Sequence, residues 1–375
     1  MAVPDRVLTN GELAAMVDTS NEWIQQRTGI AERRVAGEGE TTFTLGLQAA
    51  QAALEVADLD PSHLDLIIVA TATPEYPFPA TACLLQDALG AESAAAFDLA
   101  AGCSGFVYGL SVAADLLAAG SYGHALVVGA ETLSRITDWT DRGTCVLFGD
   151  GAGAVVLQAS EAPGGVLSSV LGSDGSGGEL LIQPAGGSAH PATAETVTTR
   201  QHFIQMQGRQ VFRFATRIMP EAAQQALKHA GLTVDDVRLF VPHQANDRIL
   251  QAAAKGLGVP QERLFSNLAR YGNTSSASVP IALCEVIEQG LVERDDVLVC
   301  VGFGAGLTWG ASVIRWSLPL PVPQPSRRMT FWRWLRYRWA QHRSYWRRLW
   351  RRIDARLFQI LYDREGRRKR GGRSD

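Results

Sequence analysis

The sequence lacks the features that mark secreted, metal-binding and membrane-spanning proteins. Its five cysteines form no CxxC pair and show no metal-ligand spacing, which argues against structural zinc and predicts reduced thiols. The first residues contain no apolar stretch resembling a signal peptide, and no apolar run approaches the length of a membrane-spanning helix. We therefore expect a cytoplasmic chain with no metal site and no resident cofactor.

The charge of the chain is divided very unevenly along its length. Residues 317–375 carry 17 Lys and Arg against 4 Asp and Glu, whereas residues 1–316 carry 18 and 34. The net charge of −3 thus conceals an acidic body and a strongly basic tail. At 375 residues and 46% hydrophobic content, the chain is long enough to bury a large core, which we expect to form two lobes.

Residues 97–120, FDLAAGCSGFVYGLSVAADLLAAG, place Cys103 between small residues at the start of an apolar segment. The pattern predicts a strand, a tight turn at Gly102 and Gly105, and a helix buried on all sides. A thiol at a helix N-terminus is expected to have a lowered pKa, as a nucleophile requires. The alternative is a small buried thiol without a chemical role. The glycine-bracketed turn favours the nucleophile.

The second half of the chain resembles the first. VRLFVPHQA parallels DLIIVATAT, DVLVCVGFG parallels HALVVGAET, and FGAGLTWGASVIRW parallels FGDGAGAVVL. This predicts a duplicated βαβ-type unit, divided into residues 1–160 and 161–317, with the two central helices packed between two sheets. The carboxyl ends of strands in such sheets open onto a shared crevice, where we expect the functional site.

Two polar clusters follow predicted strands or loops in the second half. His243 lies in VPHQAN, and Asn273 lies in RYGNTSSASVP. Taken alone, the histidine is explained as a helix cap and the asparagine as a turn residue. Together with Cys103 they form a Cys/His/Asn set at junctions between strand or loop and helix, which favours catalysis.

The motifs carrying these residues resemble the beta-ketoacyl-acyl-carrier-protein synthase III family of the thiolase-like superfamily. The resemblance covers about residues 4–316 and rests on motifs in the family's order: NEWIQQRTGI, AAGCSGF, DRGTCVLFGDGAGAVVL, SDGSGGELL, VPHQAN, GNTSSASVP and GFGAGLTWG. It implies an α/β thiolase-like fold, with two duplicated halves in α-β-α-β-α layers. It also implies condensation of an acyl-CoA starter with malonyl-ACP, initiating type II fatty acid synthesis.

The resemblance assigns a role to each site residue. Cys103 would carry the acyl group, His243 and Asn273 would bind the malonyl thioester carbonyl, and the N–H groups of Cys103 and of the Ala305–Gly306 loop would form the oxyanion hole. The other expected contacts fall into three groups. They are CoA binding by Trp23, Arg27, Arg142 and Arg248, ACP binding by Arg213, Arg248 and Lys255, and an acyl pocket with Phe78 and Phe106.

Several features depart from the family or leave alternatives open. The chain begins where the loop after the family's first strand is expected, so a central strand is predicted to be missing or the start to be misassigned. Gly256 stands where a second lysine is common, and Phe78 would floor the pocket across an interface, which requires a homodimer. Besides the fatty acid enzyme, we considered a ketosynthase-like acyltransferase of specialised, polyketide-type metabolism and a membrane-tethered scaffold that retains the fold.

The segment 318–375 is predicted to be a Pro-rich linker followed by a basic amphipathic helix at 328–362. Five of the nine tryptophans lie in it, and the apolar residues recur at helical spacing, namely Trp346, Leu349, Trp350, Ile353, Leu357, Ile360 and Leu361. This composition favours peripheral binding to the anionic inner membrane face. Docking on an acidic protein body, nucleic-acid binding and a misread C-terminus are the alternatives, and nothing in the body supports nucleic acid.

Overall fold

The computed structural model describes residues 1–318 and 327–371, with the side chains of the second range described at residue 335, at 337–340 and at 342–359. The strands are β1 (Val7–Thr9), β2 (Glu32–Arg34), β3 (Leu66–Ala70), β4 (Ala95–Leu99), β5 (His124–Thr132), β6 (Asp150–Gln158), β7 (Gly165–Ser173), β8 (Leu181–Ile182), β9 (Gln205–Met206), β10 (Val237–Pro242), β11 (Val297–Gly304) and β12 (Thr308–Arg315). The α-helices are α1 (Asn10–Ala14), α2 (Asn21–Thr28), α3 (Thr42–Val56), α4 (Thr81–Leu89), α5 (Gly105–Ala118), α6 (Arg142–Cys145), α7 (Ala194–Thr198), α8 (Gly208–His229), α9 (Asp247–Leu257), α10 (Leu268–Tyr271), α11 (Ser278–Glu288) and α12 (Arg327–Gly371). The predicted linker at 319–325 lies outside the described residues.

Two four-stranded sheets form the framework. The first has the order β4-β3-β5-β6, in which β3 pairs in parallel with β4 and β5, and β6 pairs antiparallel with β5. The second has the order β10-β11-β12-β7, with β10 and β11 parallel and the other two pairs antiparallel. Strands β3, β5 and β6 therefore correspond to β10, β11 and β12, which is the internal repeat expected from the sequence.

Strand β3 shows why the first sheet is covered on both faces. Its residues Leu66–Ala70 are all buried, and because side chains alternate across a strand, Ile67 and Val69 face α3 and α4 while Ile68 faces α5 and α11. Each such buried aliphatic side chain contributes roughly 2 kcal/mol.

The second sheet completes a layered arrangement. Its inner face shares a core with α5 and α11, including Val241 and Cys300, whereas its outer face packs on α8 and α9 through residues such as Val299. The layers therefore run α3/α4, first sheet, α5/α11, second sheet, α8/α9. The predicted thiolase-like α-β-α-β-α architecture is confirmed.

The two sheets differ at one edge. In the second sheet, β12 pairs along its length with β7, whereas on the corresponding side of β6 the described residues supply one bridge, between Ala2 and Ala152.

The polar segment around Trp23 is helical, although its residue pattern alone is that of a loop. It forms helix α2, in which the Ser20 hydroxyl accepts a hydrogen bond from the Trp23 N–H and Gly29 ends the helix with φ of 81°. These two capping residues offset the weak apolar periodicity of NEWIQQRT. The signal was therefore present in the sequence, as a serine cap and a terminal glycine.

Helix α12 runs over Arg327–Gly371 and packs against α4, so the basic helix predicted at 328–362 is present and longer than expected. The predicted apolar residues Ile360 and Leu361 have side chains outside the described set. Among the described helices, none combines the length and the apolar composition that crossing a bilayer requires.

Candidate active site

Cys103 lies in the tight turn Gly102–Ser104 between β4 and α5, as the sequence predicts. Gly102 has φ of +51°, a conformation that other residues adopt only with strain. A Cβ atom placed on Gly304 would lie 2.5 Å from the Cys103 backbone nitrogen. The end of β11 therefore packs directly on the Cys103 backbone, which brings the Cys103 N–H beside the expected oxyanion loop at Ala305 and Gly306.

The environment of the thiol differs from the expectation of a lowered pKa. Burial raises the pKa of Cys103 to about 12, a hydrogen bond from Ser275 acts in the opposite direction, and the Glu131 carboxylate raises the pKa further. The pKa is raised because a thiolate at this position would lose nearly all of its hydration. In the resting protein Cys103 is therefore a neutral thiol.

His243 follows β10 and is held at three points. Its backbone N–H donates to Val301 at 2.8 Å, its Nδ1 lies 2.6 Å from the Ser278 hydroxyl oxygen, and its ring meets the Phe303 ring edge-on at 5.2 Å between centroids. The Ser278 oxygen also accepts from the Gln244 N–H at 3.5 Å, so its hydrogen is available for Nδ1. This arrangement leaves the histidine hydrogen on Nε2, which makes Nε2 a donor.

Burial lowers the pKa of His243 to about 3, which keeps the ring neutral at physiological pH. Because the unfolded chain takes up this proton near pH 6.5, the unfolded state binds more protons between about pH 6.5 and 3. We therefore expect the free energy of unfolding to fall with falling pH across this window, with His243 contributing up to about 1.4 kcal/mol per pH unit. Urea unfolding of the wild type and of His243→Gln at several pH values measures the contribution of His243 to this pH dependence. Identical pH slopes for the two proteins would contradict it.

Asn273 is fixed by the backbone on both sides. Its N–H donates to the Leu147 carbonyl at 2.8 Å, and its own carbonyl accepts from the Gly149 N–H at 2.9 Å. The side-chain oxygen accepts from the Ser275 N–H at 2.9 Å. The amide oxygen is thereby occupied, and the NH2 group is the end that can donate to a substrate.

The segment 273–278 joins the three expected catalytic residues. It contains Asn273 itself, it brings Ser275 against the Cys103 thiol, and it provides Ser278 to His243. Cys103 and Asn273 are each 7% exposed and His243 is 1% exposed, so the set lies in an almost dry site. In the described residues, no three His, Cys, Asp or Glu side chains are grouped as metal ligands.

Glu131 is a buried residue of the site region that sequence reasoning missed. Its carboxylate accepts hydrogen bonds from the Thr73 hydroxyl at 2.6 Å and the Ser276 hydroxyl at 2.8 Å, and also from backbone N–H groups of Ala72 and Thr73. Glu131 thus ties the turn after β3 to the segment that carries Asn273. An acidic residue ending the apolar strand HALVVGAET was the available sequence signal.

Removing this carboxylate should destabilise the junction between the two halves. We expect Glu131→Ala to lower the free energy of unfolding by about 3 kcal/mol or more, because it leaves several buried donors unpaired. Glu131→Gln keeps one acceptor oxygen and should lose less. Equilibrium urea unfolding of both variants is the measurement, and equal losses for alanine and glutamine would show that the hydrogen bonds are not the cause.

The structure brings together the residues expected to bind CoA. The guanidinium carbons of Arg142 and Arg27 lie 4.9 and 5.7 Å from the Trp23 ring centroid. The side chain of Asn246 donates to the Arg27 carbonyl at 3.0 Å, which joins α2 to the start of α9, where Arg248 is exposed. An indole flanked by two arginines, with a third arginine on the adjoining helix, is suited to a purine ring and phosphate groups.

The residues expected to receive ACP lie along two neighbouring helices. Arg213 on α8 follows Phe212, whose ring lies 5.8 Å from the Arg248 guanidinium on α9. Lys255 lies two turns further along α9, roughly 10 Å from Arg248 by helical rise. All three cations are exposed.

Gly256 is explained by the packing of these helices. A Cβ atom at Gly256 would lie 2.9 Å from the Pro220 ring of α8. The close approach of α9 to this proline excludes a larger side chain without a shift of the ring, so the second lysine expected at this position is absent for a packing reason.

Phe78 and Phe106 occupy very different environments. Phe106 is fully buried in the central layer, one helical turn after Cys103, whereas Phe78 is 87% exposed in the loop before α4. Phe78 therefore floors no pocket within a single chain.

Two family models match the chain over the segments that carry the site. The model described as 3-oxoacyl-acyl-carrier-protein synthase III matches residues 97–175, and the model for the C-terminal part of the same family matches residues 227–316. These segments contain Cys103 in the first case and His243 and Asn273 in the second.

Curated and structurally solved proteins are similar over most of the chain. Beta-ketoacyl-acyl-carrier-protein synthase III of Desulfitobacterium hafniense is 56% identical over 315 residues, covering 84% of this chain and 95% of that protein. The crystal structure of 3-oxoacyl-acyl-carrier-protein synthase III from Aquifex aeolicus is 47% identical, with a TM-score of 0.78 over 84% and 97% of the two chains. The priming beta-ketosynthase of the R1128 polyketide pathway is 39% identical, with a TM-score of 0.79 over 84% and 94%.

Proposed function

The chain belongs to the beta-ketoacyl-acyl-carrier-protein synthase III family, and from this premise we infer how its own side chains divide the reaction. It is an acyltransferase that condenses an acyl-CoA starter with malonyl-ACP to give 3-oxoacyl-ACP, CoA and CO2, and so initiates type II fatty acid synthesis. The observation that carries the assignment of roles is the segment 273–278, which links the Cys103 thiol, the His243 ring and the Asn273 amide.

In the first half-reaction the sulfur of Cys103 attacks the thioester carbonyl of acyl-CoA. The tetrahedral oxyanion is stabilised by the Cys103 N–H and by an N–H of the Ala305–Gly306 loop. CoA leaves as a thiolate and gains the proton that Cys103 loses, so the acyl group passes from one sulfur to another without net charge change. The raised pKa of Cys103 suits this exchange, because the thiolate is needed only once substrate has entered.

In the second half-reaction the carbonyl oxygen of the malonyl thioester accepts hydrogen bonds from His243 Nε2–H and the Asn273 NH2 group. Negative charge develops on this oxygen as the C–C bond to the carboxylate breaks and CO2 leaves. The enolate carbon then attacks the acyl-Cys103 carbonyl, and Cys103 departs as a thiolate that recovers a proton. Two neutral donors in a nearly dry site stabilise the enolate without a permanent charge.

The remaining site residues bind the two carriers. Trp23, Arg27, Arg142 and Arg248 hold the adenine and phosphates of CoA, and Arg213, Arg248 and Lys255 receive the acidic ACP. Because these cations are exposed, the ACP contact should weaken as salt increases.

The active form is a homodimer in this proposal. Strand β4 is an edge strand with Phe97 38% exposed, and Phe78 is 87% exposed nearby in the chain. A partner covering this edge would bury both rings and place Phe78 against the acyl pocket beside Phe106.

We also infer that the protein is peripheral at an anionic membrane face, through the basic tail. The exposed tryptophans of α12 and its arginines support this location. Flotation of the full-length chain and of residues 1–317 with anionic liposomes tests this location. If the two proteins float to the same extent, the membrane location is wrong.

Primary and specialised metabolism differ in the starter acyl group, and the similarity to a polyketide priming enzyme makes this distinction relevant. Intact-mass measurement after incubation with a panel of acyl-CoAs, followed by malonyl-ACP, identifies the starter and the product. A 3-oxoacyl-ACP formed from a short acyl-CoA supports the fatty acid role. Acyl transfer to a different acceptor without CO2 release would overturn the condensation.

A further inference from the structure

Helix α12 contacts the body over only part of its length. Ala340 and Ser344 are 3% and 4% exposed against α4, and a Cβ on Gly90 would lie 3.0 Å from the Ala340 methyl group. Every residue from 350 to 359, in contrast, is exposed. The helix thus has a docked segment, residues 337–348, and a projecting arm, residues 349–359.

Two carboxylates of the body hold the docked segment, and we call Asp87 and Glu92 the acid pair. Arg348 contacts Asp87 at 3.2 Å and Arg347 contacts Glu92 at 3.0 Å. Arg343 also pairs with Glu92, and the Ser344 hydroxyl donates to Asp87. The two carboxylates of the body therefore pair with three arginines around the docked face of α12.

A second face of α12 carries exposed apolar side chains, which we call the aromatic stripe: Trp339, Trp346, Trp350, Ile353 and Leu357. Their spacings of 7, 4, 3 and 4 residues place them within an arc of about 60° on the helix surface. The docked residues Ala340 and Ser344 point in a direction about 130° from the centre of this arc, so the stripe faces away from α4. The three tryptophans are between 63% and 68% exposed. A continuous apolar row of this kind marks a surface that binds another body.

The charges beside the stripe identify the kind of surface that it fits. Arg356 is exposed about 90° from the centre of the stripe, on the flank away from the docked face, and Arg343 and Arg347 lie about 50° and 90° from it on the other flank. Arginine beside tryptophan on a helix is suited to anionic headgroups and the interfacial zone below them. The acidic body would be repelled by such a surface, but the arm spans roughly 16 Å, about twice the Debye length of about 8 Å at physiological salt. The arm therefore carries the Trp350, Ile353 and Leu357 part of the stripe beyond the range of that repulsion.

We propose that α12 binds an anionic lipid bilayer through the aromatic stripe, and that the acid pair limits this binding by withholding Arg343 and Arg347 from the headgroups. The inference rests on the proposed peripheral membrane location and adds which face makes the contact and what opposes it. Lipid phosphates and the acid pair compete for these two guanidinium groups, so the body itself sets the strength of attachment.

Flotation of the full-length protein with phosphatidylcholine vesicles, with and without phosphatidylglycerol, tests both parts. The stripe variant Trp346→Gln/Trp350→Gln should lose at least ten-fold in affinity for vesicles containing phosphatidylglycerol. The matched control Tyr345→Gln/Phe358→Gln removes two exposed aromatic rings from the same helix outside the stripe and should bind like the wild type. The acid-pair variant Asp87→Asn/Glu92→Gln should bind about five-fold more tightly for each arginine released.

The outcomes separate this inference from the location on which it rests. If wild type and stripe variant float equally, or if pure phosphatidylcholine serves as well, the lipid contact is wrong. Preferential binding of the arm to an RNA oligonucleotide or to an acidic protein, with vesicles failing to compete, would also overturn it. If the stripe variant loses binding while the acid-pair variant binds no more tightly than the wild type, the membrane location is supported and the proposed competition between lipid phosphates and the acid pair is wrong. Condensation activity measured without vesicles should be unchanged in all three variants, which confirms that they fold.

Discussion

Replacing Cys103 by alanine should abolish both the acyl-enzyme adduct and the 3-oxoacyl product. In the proposed mechanism the sulfur is the atom to which the acyl group is transferred, so we expect the condensation rate to fall by roughly four orders of magnitude or more. The variant should still release CO2 from malonyl-ACP, because His243 and Asn273 remain in place and act on the other substrate. Intact-mass analysis with acyl-CoA and a separate CO2 assay measure these two expectations.

Cys103→Ser is the matched control, since it nearly keeps the size of the side chain and replaces the sulfur by a hydroxyl oxygen, which is a much weaker nucleophile at neutral pH. It should resemble alanine in condensation and bind acyl-CoA like the wild type. An acyl adduct that survives on the alanine variant would place the nucleophile elsewhere, and Cys145 and Cys300 are the other buried thiols to examine.

Replacing His243 or Asn273 by alanine should give the opposite pattern, with acylation of Cys103 retained and condensation lost. In the proposed mechanism each side chain donates one hydrogen bond to the developing enolate oxygen, and the loss of one such donor costs about 10²- to 10³-fold in rate. The pattern follows because acyl transfer between two sulfurs uses the backbone N–H groups instead. Single-turnover acylation by mass spectrometry and CO2 release from malonyl-ACP separate the two half-reactions.

Ser278→Ala provides a graded comparison for this second prediction. It removes the hydroxyl 2.6 Å from His243 Nδ1, so the ring loses its orientation and its preferred tautomer while the donor itself remains. We expect a loss of about ten-fold, smaller than for His243→Ala. If His243→Ala slowed acylation and condensation by the same factor, the division of roles between the thiol and the two donors would be wrong.

Local residue patterns predict a large part of the secondary structure of this protein. Apolar periodicity and helix-end signals in the sequence predict helices near 43–58, 82–89, 209–230 and 246–257, and the structure has α3, α4, α8 and α9 there, with bounds that differ by at most two residues. Apolar periodicity and glycine at helix ends are short-range properties, and short-range properties can be read from the chain directly. The same holds for the turn at Cys103, which depends on adjacent glycines.

The neighbours of the catalytic residues required the folded structure. Ser278 follows His243 by 35 residues, and Ser276 follows Glu131 by 145. Nothing in the local sequence of either residue indicates its partner, because the first contact joins two separate elements of the second half and the second exists only where the two halves meet. The proline that excludes a side chain at Gly256 is likewise on another helix.

The amino-acid sequence by itself determined the family, the duplicated architecture, the Cys/His/Asn set and the separation into an acidic body and a basic tail. Tertiary structure alone decided that Cys103 rests as a neutral thiol, that Glu131 joins the halves, and that α12 turns its arginines toward Asp87 and Glu92 and its tryptophans outward. The reason is that residue types and their spacing are properties of the chain, whereas burial, and the pKa values and partners that follow from it, are properties of how distant segments pack.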